Sequence, residues 1–535
     1  MTTESEHYDV IQIGFGPVGQ TQAALLGAQG HRVAVFERWP ALYPMARAGH
    51  VDHEIMRVFQ NIGAAAAIER ASIPIPDYEW INGEGKLILH LDWNHATPSG
   101  WKSDYLIYQS YVEDALISSV RRETSVEVNT GWEATAITDC GDHVEVTVRQ
   151  GTLDGEQWVP TGKTRTVTAR YLIGADGANS LVRRTFDMPM TDLGFQEDWL
   201  VLDIRPDHAD LNIDMPEAAQ ICDPARPRSL FRWLGREHAR MEFMLLPGEH
   251  PAEMKTAENA WRMLSDYGLN ADNCQVVRRA VYTFRSLLAD NFRQGRVLLV
   301  GDAAHQMPPF MGQGMCSGVR DAVNLAWKLD LVLSGTAPET LLDTYTTERR
   351  PHADELIKTS IQLGKIVCVA DPQAAAARDA MFLKGEAPPL PPFPWLQYGV
   401  VSQAQEGDTL TGHLGLQARV AVQGQTGLLD DLTGHGWRIL SRDRATRDVV
   451  RRHDALLGAL KARHLLIHRA NVDLDSVIDV DGDYNRWFGA AEADTVIVRP
   501  DFYVYGVART PDELSELLDQ LTHDLGLTAR DTVSA

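Results

Sequence analysis

The sequence predicts a mixed α/β protein in three parts, on three observations. A short apolar strand runs through a glycine turn into a helix and a second strand over residues 8–38. Strand-like runs rich in large side chains fill the stretch from about Asp198 to Arg285. A proline-rich break, KGEAPPLPPFPW, then sets off a last region with its own α/β pattern. With 535 residues, the chain is long enough for two or three domains.

Composition narrows the function. A formal net charge of −23 argues against a nucleic-acid partner, because phosphate binding relies on clustered Lys and Arg that release counterions. The N-terminus, MTTESEHYDV, lacks the positive start and apolar run of a secretory signal, and no stretch stays apolar for the ~18 residues of a membrane span. A cytoplasmic protein without a membrane partner is therefore expected. Cys140, Cys222, Cys274, Cys316 and Cys368 are far apart and form no C-x-x-C pair, so they read as reduced thiols rather than a metal site or disulfide framework.

Along the chain, Val10, Ile11 and Ile13 form the first strand, Ala23 to Leu26 lie in the helix, and Val33, Val35 and Phe36 lead to Glu37, the pattern of a βαβ unit. From Val126, short β-rich runs separated by turn residues suggest an antiparallel meander returning to the main sheet. WLVLDIRP, RSLFRWLG and ARMEFMLLPGE suggest a second sheet. RDAVNLAWKLDLVLSG places Val323, Ala326 and Leu329 at helical spacing, with Gly335 as a stop.

Chemistry begins with Gly14, Gly16 and Gly19. They form G-x-G-x-x-G between strand and helix, and Glu37 ends the next strand 18 residues after the last glycine. The first glycine makes the turn, the second admits a pyrophosphate, the third lets helix pack on strand, and the acid accepts from a ribose hydroxyl. The motif alone does not separate NAD from FAD, and a glycine turn without ligand satisfies it too. Two further strand ends carry acids: Asp176 in YLIGADGANSLVRR, and Asp302 in RVLLVGDAAH.

With these three fingerprints in order, the sequence resembles the class A flavoprotein aromatic hydroxylases, the para-hydroxybenzoate hydroxylase-like family. It is most similar to the 3-(3-hydroxyphenyl)propionate hydroxylase branch, through CDPARPR, RMEFMLLPGE, VLLVGDAAHQMP, RDAVNLAWKL, LLDTYTTERRPHA and VRPDFYV. The resemblance implies a Rossmann-like FAD-binding domain (1–75, 101–190 and 285–370) and a β-sheet substrate domain (76–100 and 191–284). A linker (371–400) and a C-terminal thioredoxin-like domain (401–535) without redox cysteines follow, the latter architectural or dimer-supporting, which leaves monomer and homodimer open. It further implies that Asp302 binds the ribityl chain of FAD, Glu37 the adenosine ribose, and Arg47, Gln109 and Asp176 other parts of the cofactor. Gly312, Gln313 and Gly314 precede a helix whose amides suit the electron-rich edge of reduced flavin. Cys316 stands where the family commonly has Asn, and reads as a buried structural thiol.

In the family reaction NADH or NADPH reduces FAD, dioxygen adds to the reduced ring as a hydroperoxide, and an activated phenol attacks its outer oxygen, so no protein nucleophile is required. A single G-x-G-x-x-G suggests that the nicotinamide visits transiently. The phenol benefits from a base. His50 is the first candidate, with Asp52 and His53 behind it, because alternation places His50 and Asp52 on one face of an extended segment. The competing reading is that these polar groups only satisfy buried backbone. Asp223 and Arg226 are candidate substrate-binding residues, with a surface pair as the alternative. His305 reads as structural, and Trp93, Trp101, Trp199 and Trp233 as either pocket walls or core. The expected substrate is a small phenol of the 3-(3-hydroxyphenyl)propionate type. A tailoring hydroxylase of a polycyclic phenol, a non-catalytic FAD or aromatic-binding protein, and an NAD-dependent dehydrogenase are the competing readings.

Overall fold

The computed structural model describes residues 7–41, 47–155, 157–208, 210–469 and 477–527. In the first sheet His7–Ile13 lies between Val33–Glu37 and the end of the long strand Gln157–Gly174, with Val126–Thr130 and Val297–Leu299 outside them, all parallel. Val10, Ile11, Val33 and Val35 are wholly buried, as central parallel strands require. The expected meander is present: Trp132–Asp139 and Val144–Asp154 extend antiparallel from Gln157–Gly174. Two helices, Pro17–Ala28 and Gln313–Leu333, pack against each other. The second begins earlier than its apolar spacing suggests, because it starts directly from Gly312.

The second sheet has eight strands in the order His305–Gln306, Cys274–Ala289, Met190–Pro206, His238–Met244, Arg228–Leu234, Ala218–Cys222, Asp77–Asn82, Leu87–Asp92. The hairpin over residues 77–92 joins by parallel pairing with Ala218–Cys222. The domain boundary expected at 284 cuts a continuous strand, since Cys274–Ala289 pairs along its length with Met190–Pro206.

The stretch expected to be a linker differs from that reading. Asp371 caps a helix over Pro372–Leu383, and Arg378 in it donates to the carbonyls of Cys222 (2.7 Å) and Ile366 (2.9 Å). This half of the segment is therefore fastened to the second sheet, and only the proline-rich remainder is irregular. The C-terminal region carries a seven-stranded sheet mixing parallel and antiparallel pairs, with its own buried cluster around Val420, Leu440, Tyr484 and Val496. Residues 470–476, within a run expected to be strand-like, lie outside the described residues.

Buried ion pairs join the C-terminal region to the rest. Arg57 forms a two-pronged contact with Asp430 (2.7 and 3.2 Å), and Arg499 bridges Asp501 and Glu348 (both 2.6 Å). Tyr503 donates to Glu54 (2.9 Å), which also binds Arg320 (2.6 Å). Among the described residues no helix is long and apolar enough to cross a membrane.

Candidate active site

The glycine motif lies at the end of the first strand, and its three glycines have different duties. Gly14 adopts φ +100°, and a Cβ there would meet the Ala175 carbonyl oxygen at 2.2 Å. On Gly19 it would meet the Gly14 carbonyl oxygen at 2.6 Å, whereas on Gly16 it would meet nothing within 4 Å. Gly14 and Gly19 are thus demanded by the protein itself, while Gly16 keeps open space where a ligand backbone approach is needed. Gly16 also begins the helix Pro17–Ala28 without a side-chain cap, leaving first-turn amides for an anion. Glu37 accepts from the amides of Phe15 and Trp39, both at 2.9 Å. Burial pushes its pKa up, opposed by those amides, and each carboxylate oxygen retains accepting capacity. Glu37, Gln109 and Asp176 line one cleft with Gly14 and Gly16, of about 1370 Å³.

Further in, the Gln109 side-chain oxygen accepts from the amides of Arg47 (2.6 Å) and Ala48 (2.8 Å), holding that segment in place. The Arg47 guanidinium then lies 3.8 Å from the Asp302 carboxylate, both half-exposed. One oxygen of Asp176 accepts from the first-turn amides of the short helix Leu181–Thr185, Leu181 (2.6 Å) and Val182 (3.1 Å). Its other oxygen is buried with no hydrogen-bond partner among the described residues.

Gly312 is left-handed (φ +67°) and opens the helix Gln313–Leu333 with no side-chain cap. A Cβ on it would press to 2.7 Å from Nδ1 of His50. Gly312 and Gly314 line an inner cavity, but the Gln313 side chain turns away from it. It donates to Asp52 (3.0 Å) and accepts from Arg320 (2.8 Å), so only its backbone is available to a cofactor.

The inner cavity, about 340 Å³, adjoins the first cleft and shares Gly16, Arg47 and Gln109 with it. Its floor is the second sheet. Phe231 and Arg240 are register partners, and Asp203 aligns with Arg240 and Arg278, so strand alternation delivers Phe231, Arg240 and Arg278 to one face, beside Tyr78. A parallel row runs Gln220, Ser229, Glu242, Val201. Arg240 grips both oxygens of buried Asp203 (2.6 and 3.0 Å) and the Arg47 carbonyl (2.7 Å), and Arg278 lies 3.3 Å from Asp203. An aromatic wall completes the space: Trp93 stands 5.1 Å from Tyr78 and 5.6 Å from His50, centroid to centroid.

His50 is buried on the cavity wall, and its partner is a residue that sequence reasoning missed. Nε2 lies 2.6 Å from Asp104, and Nδ1 3.2 Å from the Gly312 carbonyl. Burial alone would lower the His50 pKa, but hydrogen bonding and charge from Asp104, with a contribution from Cys316, raise it well above the ordinary value. Asp104 is on the strand paired with that of His50, and Ser103 donates to its second oxygen.

Asp52 is not the second catalytic group its alternation with His50 suggests. It caps the next helix through Ile55 (3.1 Å) and binds Arg320 (2.6 Å) and Gln313. Despite burial, the Arg320 charge holds its carboxyl far below the usual range. Asp223 and Arg226 are likewise not brought to the cavity: Arg226 forks onto Glu249 (2.6 and 2.7 Å), and Asp223 pairs with Arg228 (3.1 Å). Their charges are consumed in a local cluster. His53 contacts Ser99 (3.0 Å) rather than the cavity. Buried His305 binds Asp321 (2.6 Å), as a structural residue does. Of the four tryptophans only Trp93 lines the cavity; Trp199 is fully buried in core. Cys316 is a buried thiol near the carbonyls of His50 and Gly312.

These residues fit FAD. Glu37 would hold a ribose, Gly16 and the uncapped helix start a pyrophosphate, Arg47 and Asp302 the connecting chain, and the Gly312–Gly314 backbone the flavin ring. Comparison with known proteins agrees. Residues 7–360 match the FAD binding domain family, and residues 412–524 the HcaD C-terminal domain. A probable NADH-specific resorcinol 4-hydroxylase of Rhodococcus jostii (strain RHA1) is 35% identical over 522 residues, 96% of this chain and 94% of that protein. A 3-(3-hydroxy-phenyl)propionate/3-hydroxycinnamic acid hydroxylase of Mycobacterium avium (strain 104) is 32% identical over 550 residues, 96% and 92% of the two. In fold, the chain is similar to the flavin-dependent monooxygenase PieE in complex with FAD and substrate (TM-score 0.80, 21% identity, 98% of this chain and 99% of that one). With a family match over most of the chain and relatives above 30% identity along nearly all of it, this protein belongs to the FAD-dependent aromatic hydroxylases, the class A flavoprotein monooxygenases.

Proposed function

We propose that this enzyme uses NADH to hydroxylate a small, uncharged, single-ring phenol, with a resorcinol-type ring as the leading substrate. The observation that carries the reading is that Arg240 and Arg278, the cations deep in the cavity, both face Asp203. With Glu242 3.8 Å from Arg240, two carboxylates stand beside these two cations, so a carboxylate on the substrate gains little there. Size supports the same reading. A cavity of about 340 Å³ is at the low end for ligand pockets, and residues of the glycine motif and Asp302 line it, so the flavin shares it. A polycyclic substrate therefore fits the space poorly. The choice of NADH follows the relative named NADH-specific.

Bound FAD supplies the electron storage and the oxygen chemistry. The chain itself handles the phenol's proton. His50 Nε2 is held tightly by Asp104, while Nδ1 has only a longer contact to Gly312. In this reading the form active as a base is neutral His50, reached above its raised pKa, with the one ring proton on Nε2 held by Asp104. An entering phenol displaces the Gly312 carbonyl from Nδ1, the Nδ1 lone pair accepts its proton, and Asp104 stabilises the resulting imidazolium. The phenolate so formed is more nucleophilic at the ring carbons ortho and para to oxygen. Trp93, Tyr78 and Phe231 orient the ring and exclude water.

A second reading, a 3-(3-hydroxyphenyl)propionate-type substrate, has one observation in its favour: exposed Arg285 lines the cavity and could meet a side-chain carboxylate. The two are separated by comparing kcat/KM for resorcinol and 3-(3-hydroxyphenyl)propionate with the FAD-loaded protein. The proposed function requires resorcinol to be preferred; a preference for the propionate would replace it with the second reading.

A further inference from the structure

One carboxylate on the cavity wall has no part in the reaction described above. Glu242 is two residues beyond Arg240 on His238–Met244, hence on the same face of the strand, and its side chain is only 9% exposed. Among the described residues its one charged contact is Arg240 Nη1 at 3.8 Å, outside hydrogen-bond reach. Arg240 is meanwhile committed to Asp203 and to the Arg47 carbonyl.

The neighbours of Glu242 are satisfied among themselves. Ser229, its register partner, donates to Gln220 (2.7 Å), and Gln220 donates to the Tyr78 hydroxyl. Every polar side chain in this row thus has a hydrogen-bond partner except the carboxylate. Burying a carboxylate without a donor is costly, and burial accordingly raises the Glu242 pKa. Such a group on a ligand cavity is an acceptor prepared for a donor that the ligand brings.

We infer that Glu242 is a specificity-determining residue that accepts a hydrogen bond from a second hydroxyl on the substrate ring. The inference rests on the reading of this cavity as the site of a small phenol. It also gives that reading a sharper content: Glu242 favours a dihydroxybenzene over a phenol bearing an alkyl group, and disfavours an anionic substituent by repulsion.

Equilibrium binding to the FAD-loaded enzyme tests it, with resorcinol and 3-methylphenol as paired probes in isothermal titration. A hydrogen bond to a charged group corresponds to roughly 10- to 150-fold in affinity. Wild type is expected to bind resorcinol at least about tenfold more tightly than 3-methylphenol. Glu242→Leu should bring the two within about threefold, largely by weakening resorcinol, while Glu242→Gln, which still presents an accepting oxygen, retains most of the preference. Should Glu242→Leu fail to keep FAD, Glu242→Met serves as the second apolar variant. Equal binding of both probes by wild type, or a preference that survives in the apolar variant, overturns the assignment. Turnover is scored separately: discrimination in binding with no phenol converted would leave Glu242 as a recognition residue and refute the proposed hydroxylation instead.

Discussion

His50 has an acceptor at each ring nitrogen, and the two are unequal: a carboxylate at 2.6 Å and a carbonyl at 3.2 Å. In the proposed mechanism that asymmetry gives Nε2 to orientation and leaves Nδ1 for the substrate. Replacing Asp104 by Asn removes the charge that raises the His50 pKa and leaves burial, which lowers it. The alkaline-rising limb of activity should therefore shift to lower pH in Asp104→Asn, with maximal kcat reduced. His50→Ala should cost about 10²-fold or more in kcat, within the range for a general base, while FAD content stays at the wild-type level. pH profiles of kcat for the three proteins check both statements. An unmoved limb in Asp104→Asn would remove Asp104 from the proton path.

Among the elements, the glycine turn and the Gly312 helix start act through backbone shape. At Gly16 a methyl group meets no protein atom, whereas at Gly14 it collides with the Ala175 carbonyl in a left-handed conformation. Gly16→Ala is expected to retain the wild-type Tm while losing most bound FAD; Gly14→Ala should lose stability itself, by several degrees of Tm for a strain of about 1–3 kcal/mol. Thermal melts of the apoproteins, alongside flavin absorbance after purification, separate the two. The turn was legible in sequence, since Gly14, Gly16 and Gly19 fall between a strand and a helix and Glu37 ends the next strand, whereas the Ala175 carbonyl that demands Gly14 lies far along the chain. Asp104 was not, because its pairing with His50 is made across two strands far apart in the chain. Arg240 and Glu242 were hidden for another reason: in HARMEFM polar and apolar residues alternate as in any half-exposed strand, and alternation does not tell a cavity face from solvent. Conversely, the charges of CDPARPR suggested a substrate contact that Glu249 and Arg228 in fact satisfy.

Across the whole molecule, buried ion pairs make the C-terminal region part of the enzyme rather than an appendage. The chain Tyr503, Glu54, Arg320, Gln313 runs from that region to the start of the helix Gln313–Leu333. At the same junction Glu348 is held down to about 2: burial raises its pKa, but Arg499 and Lys328 together outweigh burial. A depressed carboxylate contributes stability that is present above its ordinary value of 4.5 and lost as pH falls from there through about 2. Urea midpoints should accordingly be level near neutrality and fall steeply below about pH 4.5, and Glu348→Gln should be weaker at neutral pH with a shallower acid decline. The central claim, that this crevice holds FAD beside a cavity where a small phenol is oxygenated, is tested most directly with labelled dioxygen. The FAD-loaded protein, supplied with NADH, resorcinol and ¹⁸O₂, should yield a product carrying one labelled oxygen for each NADH consumed. Unlabelled or unchanged phenols across a panel of neutral and acidic rings, with NADH oxidised only to hydrogen peroxide, would contradict it.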